Sequence, residues 1–326
     1  MVDLKTKILE AVHADLEAIN TALEANLDPY FDLTRDVAGH ILFGGGKRLR
    51  PLLMLLSARL CDYKGDRAPA FAVIFEYLHA ATLLHDDLVD EATVRRGKPV
   101  ANSVWNNATA VLTGDFLLAR SLSLAAETGN ADVIHTIARI TEMMSQGEIQ
   151  QLHRKGDLTL TEAEYMQVIE CKTAVLFEGA CRTGALVAGR NASEPQALAD
   201  YGYNLGLAFQ MADDLLDYTL DSAALGKAVG ADLREGKLTM PVIYALAKAT
   251  PDDRHRMEAI IQNPEFSIAE FKTLIELLER YDGIRYTQNN ARKYVDRAKA
   301  CLEGFKSSPT RDTLGDIADY ALQRKV

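Results

Sequence analysis

Two stretches of the chain decide its reading: LHDDLVDEATVRRG at residues 84–97 and ADDLLDYTLDSAALGK at residues 212–227. Each sets Asp-Asp-x-x-Asp into an apolar run and follows it with basic residues. The acids are Asp86, Asp87 and Asp90 in the first copy, and Asp213, Asp214 and Asp217 in the second. Their flanks (ATLLH before the first, LAFQMA before the second) predict largely buried helices. Residues four apart share a helix face, so Asp86 and Asp90 project together, as do Asp213 and Asp217. Like charges at that spacing repel and call for a compensator. A divalent cation is the natural one, and all-oxygen ligands favour Mg²⁺ over zinc or copper. A single acidic cluster on a helix is ordinarily a solvated face. Recurrence at one spacing, in apolar surroundings where charges need partners, argues against that here.

Outward from these motifs the periodicity is helical almost everywhere, and no convincing alternating strand stands out. Helices are predicted over about 3–26, 30–42, 51–62, 68–91, 103–127, 130–152, 161–189 and 195–219, with four shorter ones filling 238–324. Prolines and glycines punctuate most of the breaks. The expected fold is all-α, a single domain over 1–326, with about 12–14 helices around a central cavity that both acidic motifs face.

Composition narrows the function. The 48% hydrophobic content supports a sizeable core, and the net charge of −10 argues against a nucleic-acid surface. Cys61, Cys171, Cys181 and Cys301 are scattered, which fits free thiols in a reducing compartment. The first residues lack the long apolar run of a signal peptide, and no stretch offers 18 uninterrupted apolar residues. A cytoplasmic protein without a membrane span is the expectation.

Cations accompany the acids. FGGGKRLRP (43–51) offers flexible backbone N–H groups with Lys47, Arg48 and Arg50. Arg95 and Arg96 follow Asp90, while Lys227 and Lys237 follow Asp217. His79 lies two turns before Asp86 on the same face. Taken singly, Arg48 and Arg50 could be a solvated turn and His79 a core histidine. Acids, a divalent cation and several cation groups together make a site for diphosphates. Two cation groups suggest two such substrates, one held through metal and one held directly by Lys and Arg.

GGGKRLRP, LLHDDLVDEATVRRG, the Lys172-Thr173 pair and FQMADDLLDYT…LGK…DLREGK resemble, in order over roughly 40–245, the trans-prenyl diphosphate synthases. Within that family the chain looks most like long-chain, octaprenyl-type synthases that make quinone side chains. The resemblance implies that Asp86, Asp90, Asp213 and Asp217 hold Mg²⁺ against an allylic diphosphate, with farnesyl diphosphate the expected primer. Asp87 and Asp214 would act through water or through neighbouring groups. Arg95, Lys172, Lys227 and Lys237 would contact the same diphosphate. Lys47, Arg50, His79 and Arg96 would hold isopentenyl diphosphate. Thr173 and Gln210 would turn oxygen dipoles towards a developing allylic cation. Such enzymes are usually homodimers, and the N-terminal helix is a candidate interface.

Product length is also partly written here. Short-chain members carry an aromatic floor four to five residues before the first acid, where this chain has the small Ala81 and Thr82. The growing product should therefore pass deeper, towards Leu78, Phe75 and Ile74, with Met143 and Met144 as lower-wall candidates or plain core filler. An octaprenyl-sized product follows; a geranylgeranyl-type synthase is the shorter alternative. A class I terpene cyclase would leave GGGKRLRP, His79 and Arg96 without a task. A non-catalytic partner subunit would be expected to lack some of the acids or basic followers.

Overall fold

The computed structural model describes residues 3–191, 193–218 and 230–323. Among them are sixteen α-helices: α1 Leu4–Asn26, α2 Asp32–Leu42, α3 Leu49–Leu60, α4 Ala68–Val89, α5 Ala101–Val104, α6 Asn107–Glu127, α7 Ala131–His153, α8 Glu162–Ile169, α9 Val175–Val187, α10 Ser193–Leu216, α11 Ala231–Arg234, α12 Met240–Lys248, α13 Pro251–Ile261, α14 Ile268–Arg280, α15 Gly283–Cys301 and α16 Pro309–Ala321. The all-α expectation holds. The count exceeds 12–14 because α5 and α11 are single turns and because predicted helices divide. The expected 103–127 helix breaks at Trp105, where Asn106 accepts the Thr109 N–H at 2.8 Å and starts α6 afresh. The expected 161–189 helix becomes α8, a π-helical turn Glu170–Ala174, and α9. Five helices, not four, follow residue 238. The loop after α4 holds a two-residue hairpin, Val94–Arg95 with Lys98–Pro99, the strand pairing found among the described residues.

Starts and stops are chemically explicit. Thr161 with Glu164 and Ser267 with Glu270 form reciprocal capping boxes, and Pro69, Pro241 and Pro251 sit in first turns where a missing N–H costs nothing. Gly129 and Gly189, both left-handed, close α6 and α9.

The chain forms two compact units. The first comprises Met1–Thr141, Leu176–Gly202 and Gly304–Leu314; the second comprises Glu142–Val175, Tyr203–Glu303 and Gly315–Val326. In the first unit α4 is the central helix, packed by α1, α2, α3 and α6. Phe71 through Leu78 are buried without interruption, which is why its sequence reads apolar on every side. Each of its large side chains contributes about 1.5–3 kcal/mol by leaving water. The Tyr77 hydroxyl donates to the Leu23 carbonyl at 2.7 Å, satisfying the polar tip in the interior. Gly184 permits close approach of α9 to α3: a Cβ there would stand 2.5 Å from the Met54 carbonyl oxygen.

Among the described residues one helix, α6, is long and apolar enough to meet the length and composition of a membrane span, which the absence of 18 unbroken apolar residues did not anticipate. It packs along α4 and buries Ala110, Leu117, Leu124 and Ala125, as a core helix does. The second unit is built on α12, α14 and α15. Tyr165, Met211, Tyr218, Leu233, Phe266 and Phe271 belong to its core.

Candidate active site

Both acidic motifs lie at helix C-termini. Asp86 and Asp87 occupy the last turn of α4 and Asp90 is its C-cap; Asp213 and Asp214 occupy the last turn of α10, and Asp217 lies just past its end at Leu216. A helix C-terminus carries about half a negative charge and favours cations. Three carboxyls there are doubly disfavoured, by the dipole and by one another. A sequence selected for stability alone would not place them so.

In the first unit the sequence-derived residues Lys47, Arg50, Leu78, His79, Ala81, Thr82, Asp86, Asp87, Asp90, Arg95 and Arg96 all occur on α4 or on the segments beside it. The Asp90 N–H donates to the Asp86 carbonyl at 2.8 Å, so the helical i, i+4 relation of these two acids survives. Both are partly exposed, whereas Asp87 turns inward and is 1% exposed. Its Oδ1 accepts from Arg95 Nε at 2.8 Å, and its Oδ2 is buried without a hydrogen-bond partner. Burial raises the Asp87 pKa, Arg95 pulls it down, and Asp90 adds a smaller upward push. Arg95 reaches it because Arg96 and Gly97, both with positive φ, turn the hairpin sharply back. Thus Asp86 and Asp90 stay partly exposed as potential ligands, Asp90 with one oxygen buried, and Asp87 between them anchors a cation.

The glycine-rich turn supplies more positive charge. Gly45 and Gly46 adopt φ of 107° and 150°, and a Cβ on Gly46 would stand 3.1 Å from Arg96 Nη1. Arg96 donates to the Gly45 carbonyl. Arg48 begins α3 in the left-handed region, which costs a residue other than glycine about 1–2 kcal/mol. Its guanidinium bonds Glu76 Oε1 at 2.6 Å, the Leu42 carbonyl at 2.5 Å and Asn20 Oδ1 at 3.2 Å. Lys47 is exposed, and the Arg50 guanidinium lies 4.9 Å from the Phe177 ring centre.

His79 is part-buried on α4. Burial drives its pKa well below the usual histidine value, and Arg50, Arg96, Arg95 and Arg48 push it the same way. The imidazole is therefore neutral at physiological pH, among four guanidiniums. Positive charge so concentrated favours an anion with several oxygens.

A stability consequence follows. Because the folded-state pKa lies below the unfolded one, the native protein refuses a proton that the unfolded chain accepts. The contribution of neutral His79 is fully present above the unfolded pKa and is lost as pH falls below it, at up to ~1.4 kcal/mol per pH unit. Urea unfolding from about pH 7.5 to about 5.5 is expected to show this loss, and His79→Gln to remove that share of it. An identical pH dependence in the variant would contradict the assignment.

The second unit holds Lys172, Thr173, Gln210, Asp213, Asp217 and Lys237. The π-helical turn brings one extra residue into the helix and re-aims Lys172 and Thr173. It is accommodated by Gly147, whose Cβ would lie 2.7 Å from Cys171 Cβ. Lys172 Nζ bonds Glu148 Oε2 at 2.5 Å and Gln151 Oε1 at 2.9 Å. Thr173 Oγ1 donates to Gln210 Oε1 at 2.8 Å, Gln210 Nε2 donates to Asp214 Oδ1 at 2.7 Å, and the Tyr165 hydroxyl donates to Asp214 Oδ2 at 2.6 Å. Asp214 thereby fixes which way the Gln210 amide points. Its pKa is pushed up to about 7, by burial first and by Asp213 and Asp217 last, against the bonds from Tyr165 and Gln210.

Asp217 is placed differently from expectation. The helix ends before it, and the Asp217 N–H bonds the Asp214 carbonyl rather than that of Asp213. Its Oδ1 and Oδ2 accept from the N–H groups of Ala231 and Asp232 at 3.0 and 3.1 Å, so it caps α11. Lys237 follows this turn and pairs with Glu235 at 2.7 Å. Asp213 is exposed. Lys227 lies outside the described residues.

Among the described residues no three His, Cys, Asp or Glu side chains form a closed metal cage. The oxygen pair of Asp86 and Asp90 fits another kind of site. Mg²⁺ commonly takes one or two carboxylates and completes its shell with water and substrate phosphates.

Sequence reasoning missed Tyr165, Glu148, Gln151, Glu76 and the capping duty of Asp217. It also missed Asp232, whose pKa burial, Asp214 and Asp217 push well up. An acid in DLREGK, beside a lysine already singled out, was the available signal.

The chain matches the polyprenyl synthetase family over residues 32–278. It is 37% identical over 318 residues to an octaprenyl diphosphate synthase of Escherichia coli (strain K12), covering 98% of each chain. It superposes with a TM-score of 0.91 and 38% identity on a polyprenyl synthase from Caulobacter crescentus CB15 complexed with calcium and isoprenyl diphosphate, covering 99% of this chain and 98% of that one. A decaprenyl diphosphate synthase from Rhodobacter capsulatus gives 0.91 at 39% identity, covering 97% and 98%. The chain belongs to the polyprenyl synthetase family and is a prenyltransferase.

Proposed function

We propose that this chain is a Mg²⁺-dependent, long-chain trans-polyprenyl diphosphate synthase. It adds isopentenyl diphosphate head-to-tail to an allylic diphosphate such as farnesyl diphosphate, building an octaprenyl-sized product for quinone side chains. The observation that carries the reading is the juxtaposition within one unit of Asp86 and Asp90 with a guanidinium cluster around neutral His79. The octaprenyl and decaprenyl diphosphate synthases among its relatives support the long chain.

Asp86, Asp90 and Asp213 are the residues that would hold the metal; when bound, it neutralises charge on the departing pyrophosphate. Asp217 is the fourth acid proposed for the metal. Arg95, Lys172 and Lys237 take phosphate oxygens of the same allylic diphosphate, as would Lys227. Arg95 is aimed by Asp87, and Lys172 is held by Glu148 and Gln151 until substrate competes for it. Lys47, Arg50, His79 and Arg96 take the diphosphate of isopentenyl diphosphate, to which a neutral His79 donates a hydrogen bond. The Thr173 hydroxyl donates its hydrogen bond to Gln210 Oε1, which leaves the Thr173 oxygen and the remaining Gln210 lone pair to face a developing allylic cation. The C–O bond of the allylic substrate breaks, the double bond of isopentenyl diphosphate attacks, and the released pyrophosphate accepts the proton then lost. Apolar surroundings limit capture of the cation by water. The product is again an allylic diphosphate, so the cycle repeats.

We read the chain as one functional domain, cytoplasmic and homodimeric. Val111 and Leu112, exposed on α6, support a second copy as the cover for that surface.

Pyrophosphate release is expected only when Mg²⁺, farnesyl diphosphate and isopentenyl diphosphate are all present, and EDTA is expected to abolish it. Release from the allylic substrate alone would favour a cyclase and overturn the reading.

A further inference from the structure

Arg48 stands between Lys47 and Arg50, yet its side chain turns inward to Glu76. Both partners are buried, at 8% and 7% exposure. We propose that the Arg48–Glu76 ion pair is a positioning device that aims Lys47 and Arg50 at the diphosphate of isopentenyl diphosphate. The proposal rests on the reading of this turn given above.

Three observations carry it. First, the Arg48 guanidinium gathers three elements onto the turn: Asn20 from α1, the Leu42 carbonyl at the end of α2, and Glu76 from α4. Second, Arg48 itself holds the left-handed backbone that reverses the chain between Lys47 and the first turn of α3, where Arg50 sits. A side chain so tied fixes an otherwise disfavoured backbone conformation, and with it the direction of both neighbours. Third, Glu76 lies three residues before His79 and ten before Asp86 on the same helix. The pair therefore registers the glycine-rich turn against the helix that bears the histidine and the acids. The Arg48 Nη1 atom also stands 3.4 Å from where a Gly46 Cβ would be, so the guanidinium underlies the turn itself.

Asp15 with Arg59 provides an internal contrast. This ion pair joins α1 to α3 in the same unit, away from the turn. It is expected to matter for stability alone.

Steady-state kinetics of the full chain separate the alternatives, with Glu76→Gln, Arg48→Lys, Asp15→Asn and Lys47→Ala compared side by side. Glu76→Gln keeps the shape and one acceptor oxygen, so it tests the charge with little risk to folding. Glu76→Gln and Arg48→Lys are each expected to raise the KM for isopentenyl diphosphate by about fivefold or more, with the allylic KM held within about twofold. Asp15→Asn is expected to leave both constants unchanged. The proposal is overturned if Glu76→Gln leaves the isopentenyl KM unmoved, or shifts both KM values and kcat together. If in that case Lys47→Ala still raises the isopentenyl KM, the site stands and only the positioning role falls. If Lys47→Ala has no effect either, the reading of the turn falls with it.

Discussion

Replacing Asp86 by alanine is expected to lower kcat by on the order of 10³-fold or more, about 4 kcal/mol of transition-state stabilisation, while the protein stays folded. Asp86 is a partly exposed acid in the last turn of α4, one helical turn before Asp90. In that place its charge opposes both the helix dipole and its neighbour, so its loss is expected to raise stability by about 0.3–1 kcal/mol. Activity and stability should move in opposite directions, which a merely structural acid would not produce. The measurements are a thermal melt and a Mg²⁺ titration of turnover. A loss under about tenfold with unchanged Mg²⁺ dependence would contradict the assignment of Asp86 as a metal ligand.

Ala81→Phe is expected to shorten the product, and the effect should be large because each added isoprene unit must pass the obstruction. Ala81 is buried on the stripe of α4 that includes Ile74 and His85. Those two residues meet α6: the Ile74 carbonyl accepts from Ser121 Oγ, and the His85 ring lies against the Val111 carbonyl. Gly114 leaves the His85 ring its space. Thr82, His79 and Phe75 instead follow the Asp86 stripe at helical spacing. A phenyl group at 81 enters the seam between α4 and α6; one at 82 stands directly beneath Asp86. Thr82→Phe is therefore expected to shorten the product at least as much. Leu78, 3% exposed, is the next residue down from Ala81 and Thr82. Product length unchanged in both variants would remove these residues from control of chain length.

Much of this molecule is legible in its sequence because its helices are long and sharply punctuated. The centre of α4 reads apolar on every side, and Phe71–Leu78 are indeed buried together. Asn106 shows why one boundary was misplaced: a good capping residue inside an apolar stretch outweighed the apparent continuity of 103–127. The π-helical turn was invisible because ECKTA carries no local signal for an inserted residue; its room comes from Gly147, more than twenty residues away. The two acidic motifs stand out by their recurrence, apolar flanks and spacing, but spacing treats their third acids alike. Asp90 keeps the helical relation to Asp86, whereas Asp217 leaves the helix to cap α11. That difference arises from residues fourteen and fifteen positions downstream, which a helical wheel cannot include. Arg48 poses a similar problem: between Lys47 and Arg50 it reads as part of one basic turn, and only its buried partner Glu76 shows that it turns inward.

The most direct test of the long-chain prenyltransferase is reverse-phase chromatography of what the purified chain makes from farnesyl diphosphate, isopentenyl diphosphate and Mg²⁺. The account predicts a ladder of all-trans allylic diphosphates that ends near the octaprenyl product, with no second protein added. A ladder that stops at geranylgeranyl diphosphate, a cyclic hydrocarbon, or elongation that begins only when another protein is supplied would contradict it.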